Sequence, residues 1–121
     1  MNFKAQRYSM YIGRFQPFHA GHEWCVREML SKGNRVCIAI MDIHDTEPDN
    51  NPYTYREVFN AISYIFIDET NVGDVEIIKI PPIESVNYGR EVGYKIIEHI
   101  PPDNIKKISS TALRASNDTT I

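Results

Sequence analysis

Two imidazoles three residues apart, His19 and His22, stand where a short apolar run gives way to a helical pattern. At that spacing both rings can face one side of a helix start and donate hydrogen bonds to a single group. The natural guest is an anion, because the first turn of a helix also offers unpaired backbone N–H groups and the positive end of its dipole. Arg14 adds a planar, permanently charged fork. Gly13 and Gly21 remove side chains where a ligand would approach the backbone, and Pro17 stiffens the turn between Phe15 and Phe18. A packed or capped surface turn would use the same two histidines, and so would half of a zinc site. Zinc needs further ligands at suitable spacing, and neither Cys25 nor Cys37 stands in a C-x-x-C pair.

A second candidate anion site lies near the C-terminus. Ser109, Ser110 and Thr111 precede Ala112-Leu113-Arg114, the pattern of a hydroxyl-capped helix start whose first turn carries a cation. Arg114 can reach the same phosphates as those hydroxyls, although an ordinary Ser/Thr cap would read the same way. Arg90, in Asn87-Tyr88-Gly89-Arg90, reads equally as a phosphate or ribose contact and as an exposed loop cation. Asp42, His44 and Asp45 gather after an apolar run, but such residues are ordinary in a loop, and a protein-liganded metal is not expected there.

The elements that must position these residues follow from periodicity. Tyr8 to Ile12 reads as a buried strand closed by Gly13, and Ala20 to Lys32 as a helix stopped by Gly33-Asn34. Val36 to Met41 is nearly continuous apolar sequence, as in a parallel strand covered on both faces. After a polar loop from Asp42 to Pro52, Thr54 and Glu57 form a capping box opening a helix that bears Val58, Phe59, Ile62, Ile65 and Phe66. Val75 to Ile80 is a third strand, stopped by Pro81-Pro82, and Gly93 to Ile100 a candidate further strand or helix, stopped by Pro101-Pro102. This alternation predicts an α/β fold: a small Rossmann-like, open, mostly parallel sheet with helices on both faces. One domain is expected over residues 1–116, with a polar tail at 117–121.

The run Gly13-Arg14-Phe15-Gln16-Pro17-Phe18-His19-Ala20-Gly21-His22 resembles the H-x-G-H motif of the cytidylyltransferase-like nucleotidyltransferase superfamily, and its lead-in most resembles the nicotinamide-mononucleotide adenylyltransferase branch. Ile108-Ser109-Ser110-Thr111-Ala112-Leu113-Arg114 is similar to the I-S-S-T-x-x-R element of the same superfamily. Asn51-Pro52-Tyr53-Thr54-Tyr55-Arg56 is similar to its N-P-aromatic-[ST] segment, with Arg56 placed earlier than the family's phosphate-binding arginine. The resemblance implies an enzyme that transfers a nucleotidyl group, AMP from ATP, to a phosphorylated acceptor such as nicotinamide mononucleotide and releases pyrophosphate. It implies catalytic roles for His19, His22 and Arg114, and nucleotide binding by Gly13, Arg14, Phe15, Gly21, Ser109, Ser110 and Thr111. Magnesium would be held mainly by substrate phosphates and water. A cytidylyltransferase using CTP is the alternative among enzymes, and a non-catalytic nucleotide-binding module is the other, since the chain is small and the stretch before Ser109 is shorter than is usual in the family.

Composition narrows the partners. A net charge of −3 leaves no general field to hold a phosphate polymer, so nucleic acid is not an expected partner and a fragment of an aminoacyl-tRNA synthetase is disfavoured. With 42% hydrophobic and 24% charged residues the chain is in the globular range. No apolar stretch is long enough for a bilayer and residues 1–6 carry no apolar leader core, so a cytoplasmic protein with reduced Cys25 and Cys37 is expected, free of membrane and able to form a homo-oligomer.

Overall fold

The computed structural model describes residues 7–90 and 93–106. Strand β1 (Tyr8–Gly13) leads to helix α1 (Ala20–Ser31) and strand β2 (Arg35–Met41). Helices α2 (Tyr55–Ile65) and α3 (Ile67–Asn71) precede strand β3 (Val75–Ile80), and a single helical turn, α4 (Asp103–Lys106), packs on α1. The strands form one open parallel sheet in the order β1-β2-β3, flanked by helices: the small Rossmann-like α/β class that the alternation predicts.

The register explains why β2 reads as continuous apolar sequence. Ile38 pairs with Tyr11 on one side and Ile77 on the other, which puts Val36, Ile38 and Ile40 on one face of the central strand. Val26 and Met29 of α1 meet them in a single cluster with Val58 and Ile62 of α2, and with Phe66 just beyond it. On the other face Cys37 and Ala39 are buried as well, so neither face of β2 has room for a polar residue. Cys25 and Cys37 are unpaired, buried thiols.

Caps set the helix ends. Glu57 N–H donates to Thr54 Oγ1 at 3.2 Å while Thr54 N–H donates to Glu57 Oε1 at 3.0 Å, the reciprocal box expected for α2. Helix α1 stops at Gly33, whose φ of +83° is the left-handed conformation that glycine adopts without strain. Arg27 ties α1 to α3: its guanidinium donates to Glu69 at 2.6 Å and to Glu23 at 3.3 Å, and lies 4.7 Å from the Phe66 ring centre.

One expectation fails. Gly93 to Ile100 forms neither strand nor helix, and Tyr94, Ile96, Ile97 and Ile100 are mostly exposed. Among the described residues its apolar pattern finds no neighbouring strand to complete a ladder, and an apolar run without a partner does not hold a strand on its own. The helix start expected at Ser109–Arg114, the domain limit at 116 and the polar tail lie outside the described residues. Among the described residues no helix is long and apolar enough to cross a membrane.

The contrast between core and exposed run is measurable. Ile62→Ala, at a fully buried position, should cost about 2–5 kcal/mol in urea unfolding. Ile96→Ala, at 75% exposure, should change stability by less than about 0.5 kcal/mol.

Candidate functional site

The connection from β1 to α1 sits at the carboxyl ends of the parallel strands, where open α/β sheets bind ligands. It is tightly built. Phe15 adopts φ +53°, unusual for a residue with a side chain, and its ring lies over the backbone of Gly13. A Cβ at position 13 would stand 2.6 Å from Phe15 Cε1 and 2.8 Å from Cζ, so only glycine leaves the ring its place. Phe15 and Phe18 are both buried and their ring centres lie 5.3 Å apart. The Phe15 side chain is therefore part of the floor of the loop, and what it can offer a ligand is backbone.

On that floor stand the two histidines. His19 is the N-cap of α1, in extended conformation, and its Nδ1 accepts the Gly21 N–H at 3.0 Å. His22 reaches back, its Nδ1 accepting the His19 N–H at 3.1 Å. The two imidazoles thus form a reciprocal capping box of the kind usually built from Ser or Thr with Glu. Their rings stack with centres 3.8 Å apart, and His22 is enclosed further by Phe15 at 5.0 Å, Phe18 at 5.3 Å and Tyr11 at 6.4 Å.

This enclosure decides the charge and the tautomer. Burial, reinforced by the neighbouring His19, pushes His22 down to about 3, and burial lowers His19 as well. Both rings are neutral at pH 7. A neutral imidazole carries one N–H, and since each Nδ1 accepts from the backbone, the proton sits on Nε2. The turn therefore presents two side-chain N–H donors of fixed identity. Zinc binding through either Nε2 would require removing that proton or breaking the cap, so the arrangement favours an anion over a metal.

A second loop holds the first in place. Gln16, 2% exposed, donates from Nε2 to Tyr53 O at 2.9 Å and accepts the Tyr53 N–H on Oε1 at 2.8 Å. Beside it Arg14 Nη1 donates to Asn51 Oδ1 at 3.2 Å. Asn51, 1% exposed, donates from Nδ2 to Glu47 O at 2.8 Å, and its own carbonyl accepts the Nδ1–H of His44 at 2.7 Å. His44 thus serves the loop between β2 and α2 as a structural donor.

The structure brings Gly13, Arg14, Phe15, His19, Gly21 and His22 together at one end of the sheet. Ser109, Ser110, Thr111 and Arg114 lie outside the described residues. Arg56 lies on an exposed part of α2 with its guanidinium 5.5 Å from the Phe59 ring centre. Residues 87–90 are exposed, with Asn87 bonded within its own loop to Ser85 at 2.9 Å. Sequence reasoning missed Gln16 and the clamp role of Asn51. A long amide between two phenylalanines was the one available signal for Gln16. A shallow cavity of about 460 Å3, lined by Tyr8, Phe59 and Val75 among others, opens near the amino ends of the strands, away from the histidines.

Residues 10–97 match the family model described as cytidylyltransferase-like. The nicotinamide-nucleotide adenylyltransferase of Methanolobus tindarius is 34% identical over 62 residues, covering 51% of this chain and 36% of that protein. The enzyme of that name from Thermoplasma acidophilum is 31% identical over 87 residues, covering 72% of this chain and 46% of the relative. The one from Sulfurisphaera tokodaii is 32% identical over 81 residues, 67% of this chain and 46% of the relative. Each match spans less than half of the relative's own length.

The buried pair has a consequence for stability. Because the folded chain holds His22 at about 3 while the unfolded chain holds it near 6.5, the unfolded state takes up more protons between those values. The contribution is complete above pH 6.5 and is lost as pH falls toward 3, with the lowered His19 acting in the same direction. Urea unfolding should show about 1–2 kcal/mol less stability at pH 5 than at pH 7. His22→Gln should flatten that slope, and an unchanged slope would contradict the neutral pair.

Proposed function

This chain belongs to the cytidylyltransferase-like family, and we propose that it is a nucleotidyltransferase that moves AMP from ATP to a phosphorylated acceptor such as nicotinamide mononucleotide. An acceptor phosphate oxygen attacks the α-phosphorus, a new P–O bond forms, the bond to the β-phosphate oxygen breaks, and pyrophosphate leaves. The observation that carries the reading is the pair of Nε2–H donors at the start of α1, fixed in tautomer by their own backbone bonds. Such preorganised donors suit a reaction in which charge grows on the α-phosphate oxygens and the leaving group.

In this reading His19 and His22 donate to the triphosphate and its transition state, and Arg14 binds the same phosphates. Gly13 and Gly21 let the nucleotide lie close to the backbone. Ser109, Ser110, Thr111 and Arg114 hold the β- and γ-phosphates, as the resemblance implies. The donors gathered in the loop are N–H groups, which fit phosphate oxygens and not a cation. Magnesium would therefore arrive on the phosphates, where its chemistry is charge neutralisation.

The adenylyl reading over the cytidylyl one rests on the lead-in Gly13-Arg14-Phe15-Gln16-Pro17-Phe18 and on the relatives' names. One observation favours a second reading, a module that binds nucleotide without transferring it. Residues 81–90 and 93–100 are largely exposed and give an acceptor no walled pocket among the described residues.

Pyrophosphate release, measured with ATP or CTP across phosphorylated acceptors, separates these readings. ATP should be the preferred donor, while tight ATP binding without release would favour the module. His22→Ala should lower turnover about 10²–10³-fold. His19→Asn keeps a side-chain acceptor at the N-cap and discards the Nε2 donor, so it should melt near the wild-type temperature and still lose turnover. Full activity in both variants would defeat the assignment.

A further inference from the structure

The clamp between the two loops assigns a role to a residue outside the histidine motif. Building on the nucleotide reading above, we infer that Asn51 is a positioning residue that aims Arg14 at the triphosphate.

The hydrogen-bond pattern fixes which way the Asn51 amide points. Glu47 O is a carbonyl and can only accept, so the group 2.8 Å from it must be the NH2 of Asn51. Oδ1 is then turned to Arg14 Nη1 at 3.2 Å, and a flipped amide would lose both bonds. The backbone of Asn51 is held as firmly. Its N–H donates to Pro48 O at 3.2 Å and its carbonyl accepts from His44 at 2.7 Å. At 1% exposure the residue is an anchor with no freedom to follow a moving partner.

Arg14 is the opposite case, an exposed side chain whose flexible stem would otherwise sample many rotamers. Among the described residues its one hydrogen bond is to Asn51. Engaging a single Nη1 proton orients the planar fork and leaves its other N–H groups for an anion.

The choice of an amide is informative. A carboxylate at position 51 would hold the guanidinium more tightly but would cancel its charge, and would turn a negative oxygen toward Glu47 O. A neutral acceptor orients the arginine and preserves its attraction for phosphate. Gln16 keeps the distance between the two loops, because its paired bonds to Tyr53 lie beside the Arg14 contact.

A double-mutant cycle on the full chain tests this, with ATP binding read by calorimetry and pyrophosphate release read as separate KM and kcat. Asn51→Ala should raise the Kd and KM for ATP about tenfold, with a smaller change in kcat. In an Arg14→Ala background the same substitution should add nothing, because its effect passes through the arginine. Asn51→Asp, which keeps the shape, should weaken ATP binding and flatten its dependence on salt, since the charge of Arg14 is then neutralised.

Wild-type ATP affinity in a folded Asn51→Ala protein overturns the inference. So does an equal loss with and without Arg14, which marks a purely structural residue, and so does failure of both Asn51 variants to fold. A wild-type chain that binds neither ATP nor CTP defeats the nucleotide reading itself, and this role with it.

Discussion

The start of α1 is closed by imidazole nitrogens, and the properties of the site follow from that one arrangement. A Ser–Glu box would satisfy the same two backbone N–H groups but would leave a carboxylate at the place where the proposed anion would sit. Two histidines satisfy them with Nδ1 and so direct Nε2–H outward. The choice works because His22 is stacked on His19 and ringed by Tyr11, Phe15 and Phe18, which makes a second ring proton expensive. Cap, tautomer and charge state are therefore one structural fact.

That arrangement in turn depends on parts far along the chain. The ring of Phe15 lies over Gly13, where no side chain fits, and Phe15 itself takes a left-handed φ. Gln16 answers Tyr53 with both a donor and an acceptor, so a single side chain does what a short stretch of sheet would do between two loops. At the other side of α1, Arg27 joins Glu69 and covers Phe66, which fixes the helix that carries the histidines against the layer beneath it.

The sequence disclosed what has a period or a cap. The strands β1, β2 and β3 appeared as apolar runs, and α2 through the Thr54–Glu57 box, because backbone hydrogen bonding imposes those patterns locally. The histidine pair was visible for the same reason, as a helix start with a chemical signature. What stayed hidden has no local pattern. The Gln16–Tyr53 bridge joins residues 37 positions apart, and nothing near either one announces the other. The short α3 and α4 are too brief to show a helical period. Gly93 to Ile100 misled in the other direction, since its isoleucines carry an apolar pattern that the described residues do not bury.

The neutrality of His19 and His22 also settles how charge must be balanced. In the proposed reading a nucleoside triphosphate would bring several negative charges to a chain whose own formal charge is −3, and the two imidazoles would contribute direction but no compensating charge. Of the groups gathered on the loop from β1 to α1, only Arg14 is cationic. On that reading the loop would respond to the shape and spacing of phosphate oxygens more than to their charge, and most of the counter-charge would have to travel with the ligand or come from elsewhere in the chain. A site built this way would accept its anion as a neutralised complex, and solution cations would become part of its specificity.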